Sequence, residues 1–348
     1  MTGTARSHRA EPSWAKYPDE ELLDLRFADL AITTPGVFLA ACLERVSGEM
    51  ALRGVRFRPR VWVSDEWFSP DGIGGFAVPF YLTHPRLERL ERRMMCAVEG
   101  GTRRECLKLV RHETAHALQH AYRFERRQDW QRIFGRSSLR YPDRYRPDPT
   151  SRDYVHHLQD WYAQCHPDED FAETFSVWLP PRSPWRSRYA GWPALAKLAY
   201  VDRLMGELST RAVPRVSRRA IDPLNRLRTT LREHYRERRR RFGVDRTTSL
   251  DAPLRSFFDG GRPTGHRHKG AALLRRIRPD VEAGVAPRSF EAEYALAMVY
   301  DDLINRSEVL ALRTARGEQA VVRDVVRFVR RYLGISLRDP SAREWIPV

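Results

Sequence analysis

The chain has 348 residues, 42% of them hydrophobic and nine of them Trp, enough for the core of one large domain or two modest ones. It contains no run of about 18 apolar residues and no apolar stretch of signal-peptide length in its first 25, so no membrane span is expected and the cytoplasm is the expected location. The four cysteines form no C-x-x-C pair, which removes a zinc ribbon, and the net charge of +16 raises nucleic acid as a partner to be weighed.

In chain order, Asp19 to about Leu30 reads as helix, and Pro35 opens a second helical stretch that reaches about Leu52. Phe57–Phe68 alternates in the manner of a strand, with Val61, Val63 and Trp67 on one side and Trp62 on the other. Ser69-Pro70-Asp71-Gly72 is turn chemistry, and Phe76–Leu82 resumes as strand. Pro79 suits an edge position, where such a strand can pair with an extended substrate backbone. Pro85 to about Glu99 reads as helix, and Gly100-Gly101 breaks it.

Thr102 or Arg103 then starts a helix expected to last to about Arg127. It carries Arg111-His112-Glu113-Thr114-Ala115-His116, the H-E-x-x-H pattern of zinc hydrolases. Side chains four apart stand on one helix face, so His112 and His116 can offer two imidazole nitrogens to one Zn²⁺. Glu113 is then placed to take a proton from a water on the metal. His120 continues the series, but it stands about 12 Å along the axis from His112, far beyond a zinc bond. No Gly follows to break the helix, so His120 reads as a structural or partly exposed residue.

Arg136 to Tyr154 is irregular, rich in Tyr, Arg, Pro and Asp, and expected to rim the cleft with substrate-contacting side chains. After it, Pro167 fits the first position of a helix that Pro180-Pro181 stop near Leu179. The acidic residues of its first turn, taken alone, suit the positive helix end as solvated charge. Beside the histidine pair they read differently. Glu169 and Glu173 share a face, so Glu169 is assigned as the third metal ligand. Glu173 is assigned to the free ring nitrogen of a ligand histidine, where it sets the tautomer.

Arg111–His116, together with Tyr162-Ala163-Gln164-Cys165-His166-Pro167-Asp168-Glu169-Asp170-Phe171-Ala172-Glu173-Thr174-Phe175, resembles the two motifs of a bacterial zinc-binding metallopeptidase family. The likeness extends upstream through Val61–Phe68 and Gly74–Phe80, and covers roughly residues 50–205. It implies a gluzincin-like, α+β zincin domain with a small sheet and two active-site helices. In lethal-factor-like members an active-site Tyr precedes the Glu ligand by seven residues, and Tyr162 holds that place here. The resemblance thus implies that Tyr162 hydrogen-bonds the oxyanion of a tetrahedral intermediate; aromatic packing is the alternative role.

The last third reads as all-α. Leu224, Leu227, Leu231 and Tyr235 mark one face of a helix from about Pro223 to Phe242. Helices near Ala271–Ile277, Phe290–Asn305 and Glu318–Leu333 follow, the last ended by Gly334, with Ala252–Gly270 as a connecting loop. His266-Arg267-His268 in that loop reads as exposed rather than as a second metal site. Residues 211–348 hold 30 basic against 17 acidic side chains, peaking over Arg232–Phe242, whereas the first 210 hold 31 against 28. Because 57 of the 61 basic residues are Arg throughout the chain, compositional pressure explains the run as well as phosphate contact does, and a solvated helix face is favoured over nucleic acid.

The expectation is therefore a zincin-like metallopeptidase domain over residues 1–210 and a basic, mainly helical domain over 211–348. One Zn²⁺ ion would sit on His112, His116 and Glu169. Glu113 and Tyr162 would do the chemistry on a peptide or protein substrate, with Glu173 behind His112. The competing classes are a non-catalytic protein braced by zinc and a nucleic-acid-associated protein using the basic C-terminal helices.

Overall fold

The computed structural model describes residues 11–217, 219–244, 248–258, 268–287, 290–336 and 346–348. Among the described residues the fold is mixed but mostly helical, with small two-stranded sheets. In chain order its elements are α1 (Asp19–Leu23), α2 (Val37–Leu52), β1 (Arg60–Ser64), β2 (Gly75–Pro79), α3 (Pro85–Met95), α4 (Arg103–Tyr122), α5 (Gln128–Phe134), β3 (Arg144–Tyr145), α6 (Pro167–Trp178), α7 (Trp185–Arg188) and α8 (Ala194–Leu208). There follow α9 (Leu231–Phe242), α10 (Asp251–Phe258), β4 (His268–Lys269), α11 (Gly270–Val285), α12 (Phe290–Val309), β5 (Arg313–Thr314), α13 (Glu318–Ser336) and β6 (Ile346–Pro347). No helix among the described residues is long and apolar enough to cross a membrane.

The two helices at the centre have strong local start signals. In α4, Thr102 Oγ1 accepts the Glu105 N–H at 3.2 Å and the Glu105 carboxylate returns to the Thr102 N–H, a reciprocal cap. In α6, Pro167 occupies the first turn and His166 Nδ1 accepts the Asp168 N–H at 3.2 Å. The same His-Pro device starts α3, where His84 Nδ1 accepts the Arg86 N–H at 3.0 Å. Both α4 and α6 are buried along most of their length and pack against each other, with α2 and β2 on other sides of α4 and with α8 behind α6. Arg111 ties α4 to α2 through a two-pronged ion pair with buried Glu49, at 2.8 and 2.9 Å.

Strands β1 and β2 are parallel, Arg60 opposite Gly75 and Ser64 opposite Pro79. A Cβ on residue 75 would lie 2.2 Å from the Arg60 carbonyl oxygen, so glycine permits this pairing. Val63 faces the main core and Trp62 a small cluster with Ile73 and Ala77, the two-residue alternation of a strand. Both strands are shorter than their hydrophobic runs. Pro79 ends β2, and Phe80–Thr83 turns into a 3₁₀ segment. The Ala77 N–H donates to the Phe68 carbonyl at 2.8 Å, so at this point Phe68 already takes the edge expected to be open to substrate.

Several boundaries differ from the periodicity. The first helix breaks after Leu23 and resumes as a 3₁₀ turn over Phe27–Leu30, because the Phe27 and Ala28 N–H groups donate to Thr229 and Leu227 instead of continuing the helix. Helix α3 stops at Cys96, in left-handed conformation, before the glycines. Helix α4 stops at Arg123, also left-handed, rather than at Arg127. Only three residues from Leu224 are helical before Thr230 caps α9 afresh. Residues 252–258, expected as loop, belong to α10, and α13 continues through Gly334. His266 and Arg267, with Gly260, Gly261, Pro263 and Gly265, lie outside the described residues.

Two hydrophobic cores form, and the chain passes from one to the other between Tyr235 and Leu250. Leu224, Leu231 and Tyr235 belong to the core of the N-terminal part, and a second core runs from Leu250 to Leu333 over α10–α13. Helix α9 is held to α3 by charge as well: Arg238 is buried and bonds Glu91 of α3 at 2.8 Å, and its Nε also lies 3.1 Å from the carboxylate of Glu66, after β1. Arg241 also pairs with Glu66, at 2.6 Å. Part of the basic run is thus consumed inside the protein.

Candidate metal centre

Where α6 crosses α4, three electron-pair donors meet. His112 Nε2 and His116 Nε2 are 3.0 Å apart, and Glu169 Oε2 lies 2.9 Å from the first and 3.2 Å from the second. All three side chains are buried, and they are the one group among the described residues arranged to hold a metal ion. The edge of a tetrahedron built on metal bonds of about 2.0–2.1 Å is about 3.3 Å, close to these separations.

Hydrogen bonding sets the direction of each donor. Glu173 Oε1 stands 2.9 Å from His112 Nδ1, and its Oε2 accepts the Leu158 N–H at 2.7 Å. A proton on Nδ1 serves Glu173, which leaves the Nε2 lone pair of His112 aimed at a carboxylate oxygen and another imidazole nitrogen. Such a convergence needs a positive charge within it, which a proton on His112 supplies in the metal-free protein and a cation would supply in its place. Burial by itself lowers the pKa of His112, but its bonds to Glu169 and Glu173 outweigh that and hold it well above the ordinary range. Burial likewise pushes Glu169 up, and His116 and His112 overcome it to keep the carboxylate ionised far into acid. The donor set of two imidazoles and one carboxylate fits a divalent cation.

Asp170, the neighbour of Glu169, points elsewhere. Its Oδ2 is 2.6 Å from Lys197 Nζ on α8, and burial pushes its pKa up to about 7 against the pull of that ammonium. Glu113 is buried on α4 and accepts a hydrogen bond from Ser69 Oγ at 2.9 Å. Burial raises its pKa, partly offset by His112, His116 and Ser69. The Tyr162 ring lies 5.8 Å from the His112 ring and 6.2 Å from that of Tyr145. Burial and Glu169 keep the Tyr162 phenol protonated. His120 stacks on His116 at 6.4 Å without joining the donor group, and its imidazole is 3.6 Å from Asp71.

The segment before Tyr162 is unusual. Asp160 and Trp161 are both left-handed, with φ of 61° and 52°, a conformation few non-glycine residues adopt. The Tyr145 hydroxyl donates to the Asp160 carbonyl at 2.8 Å, and Trp161 packs edge-on against Tyr294 of α12, 5.6 Å away. The second core therefore supports the wall of the centre.

Sequence reasoning missed Ser69 and the particular role of Tyr141, whose hydroxyl donates to Glu169 Oε1 at 2.9 Å. Both sit on irregular segments, where no periodicity reports which way a side chain points. The rim between the two helices was the only signal for Tyr141. Comparison with known proteins gives no match to a family model, a curated protein or a solved structure.

Proposed function

We propose that this chain is a zinc-dependent metallopeptidase, of the bacterial gluzincin-like family that its two motifs resemble, with a zincin-like N-terminal domain. The observation that carries the reading is the meeting of His112, His116 and Glu169 from two helices, with the buried Glu113 carboxylate on the turn beside them. A nitrogen-rich set of three with a carboxylate suits Zn²⁺ over the oxygen-loving Ca²⁺ and Mg²⁺. Zinc bound there supplies a Lewis acid that acidifies water toward a pKa of about 7 and polarises a carbonyl.

The chain's own residues do the rest. Glu113 accepts the proton of the attacking water and returns it to the departing amine, a task suited to a carboxylate whose pKa burial has raised. Glu173 fixes the tautomer and ring direction of His112. Tyr162, kept protonated beside His112, is the proposed donor to the developing oxyanion. The substrate is a peptide or protein, and the cytoplasm is the proposed compartment. The ion pairs of Arg238 and Arg241 with Glu91 and Glu66 speak against α9 as a free phosphate-binding stripe.

The test is metal analysis of the purified protein followed by cleavage profiling of a diverse peptide mixture, with Glu113→Gln as control. About one zinc per chain, and turnover that falls roughly 10²–10⁴-fold in Glu113→Gln while zinc stays bound, is the expected result. Full zinc occupancy with no cleavage of any peptide would replace this reading with that of a zinc-braced binding protein.

A further inference from the structure

The stretch Ser137–Tyr141 lies across the start of α6 and is fastened to it at successive points. Ser137 Oγ donates to Asp168 Oδ2 at 2.8 Å, while Gln119 of α4 donates to the other oxygen, Oδ1, at 2.7 Å. His166, whose Nδ1 accepts the Asp168 N–H, has its Nε2 3.0 Å from the Leu139 carbonyl, so Nε2 carries the hydrogen of that bond. The Tyr141 ring lies flat on the same imidazole, with centroids 3.8 Å apart and planes 17° from parallel. The stack aims the Tyr141 hydroxyl at Glu169 Oε1, 2.9 Å away. Glu169 Oε2 is the oxygen turned to the two histidine nitrogens.

We infer that Tyr141 is a positioning residue of the metal centre: its phenol holds one oxygen of Glu169, so that only the other is offered to the cation. A carboxylate with both oxygens free can rotate or bind through both, and either change fills space that a fourth ligand needs. The phenol removes that freedom, and the His166 stack in turn removes the freedom of the phenol. The inference rests on the metal-centre reading above and adds to it a residue outside both helical motifs. Tyr141 is 41% exposed as a residue and lies at the rim of the centre, with its hydroxyl turned inward to Glu169.

The experiment strips the full-length protein with a chelator and titrates it with Zn²⁺ against a chromophoric competitor. Tyr141→Phe keeps the ring on His166 and loses only the hydroxyl; it should weaken zinc about 10–100-fold. The metal-free form should lose some stability, because Glu169 Oε1 is left buried without its donor, but the visible absorption of the Co²⁺-loaded variant should change as the carboxylate alters its mode of binding, a readout that a loss of stability alone does not move. Tyr145→Phe deletes a comparable phenol, bonded to the Asp160 carbonyl instead of a ligand, and should leave both zinc affinity and the Co²⁺ spectrum as they were. Parental affinity and an unaltered Co²⁺ spectrum in Tyr141→Phe would overturn the role of Tyr141 while leaving the metal centre standing. Failure of the parent protein itself to take up Zn²⁺ or Co²⁺ would overturn the metal-centre reading, and this inference with it.

Discussion

Glu173 and His112 stand 2.9 Å apart on two different helices, and the other carboxylate oxygen of Glu173 is occupied by the backbone N–H of Leu158. One buried side chain therefore links a candidate ligand to the segment that leads into Tyr162. Replacing Glu173 with Ala releases His112 and leaves the Leu158 N–H without its partner. Zinc affinity should drop about 10–100-fold, read by competition with a chelator. Stability should fall by about 1–3 kcal/mol in urea denaturation, from the orphaned donor.

Glu169 and Asp170 provide a contrast within one helix turn. Glu169→Ala removes the carboxylate that stands 2.9 and 3.2 Å from the two imidazole Nε2 atoms, and bound metal per chain should fall far below one. Asp170→Asn alters the contact with Lys197 on the opposite side of α6 and should leave metal content at the parental level. Atomic emission analysis of the two purified variants checks both statements, and the reverse pattern would put the wrong face of α6 against α4.

Ser69 donates to the Glu113 carboxylate, which stabilises its charged form and lowers its pKa against the effect of burial. Ser69→Ala removes that donor, so the pKa of Glu113 should rise further. If Glu113 works as a base, the acid limb of kcat/KM against pH should move to higher pH in the variant. A limb that stays in place would show that another group controls it.

His234 tests the core rather than the site. It packs on Phe27 and Phe80, and burial beside Arg238 pushes its pKa down to about 3 from an ordinary 6.5. The folded state thus resists the proton that the unfolded chain accepts. The stability this residue contributes is complete above pH 6.5 and declines as the pH falls from there toward 3. Relative to His234→Phe, the parent should lose about 2 kcal/mol between pH 6.5 and pH 5 in urea titrations. His157, pushed down to about 4 by burial, adds a loss of the same sign.

Much of the centre is legible in short stretches of sequence because helical geometry is local. A spacing of four puts His112 with His116 and Glu169 with Glu173 whatever the rest of the chain does, and His166-Pro167 marks where α6 begins. The alternation about Trp62 reports a strand for the same reason. Periodicity does not carry the order in which segments meet. The parallel pairing of β1 with β2, the break at Leu23 and the fresh start of α9 at Thr230 depend on partners far away in the chain. So does the placement of Leu231 and Tyr235 in the first core, although composition groups them with the second. Ser69 and Tyr141 reach the centre from irregular segments, where side-chain direction is set by long-range contacts such as the stack on His166. Sequence alone determined which groups share a helix face; the crossing of α4 and α6, and the loops laid over it, decided which oxygen of which carboxylate meets which nitrogen. The physical reason is that backbone hydrogen bonding repeats every few residues, whereas the approach of two helices is settled only when their buried surfaces pack.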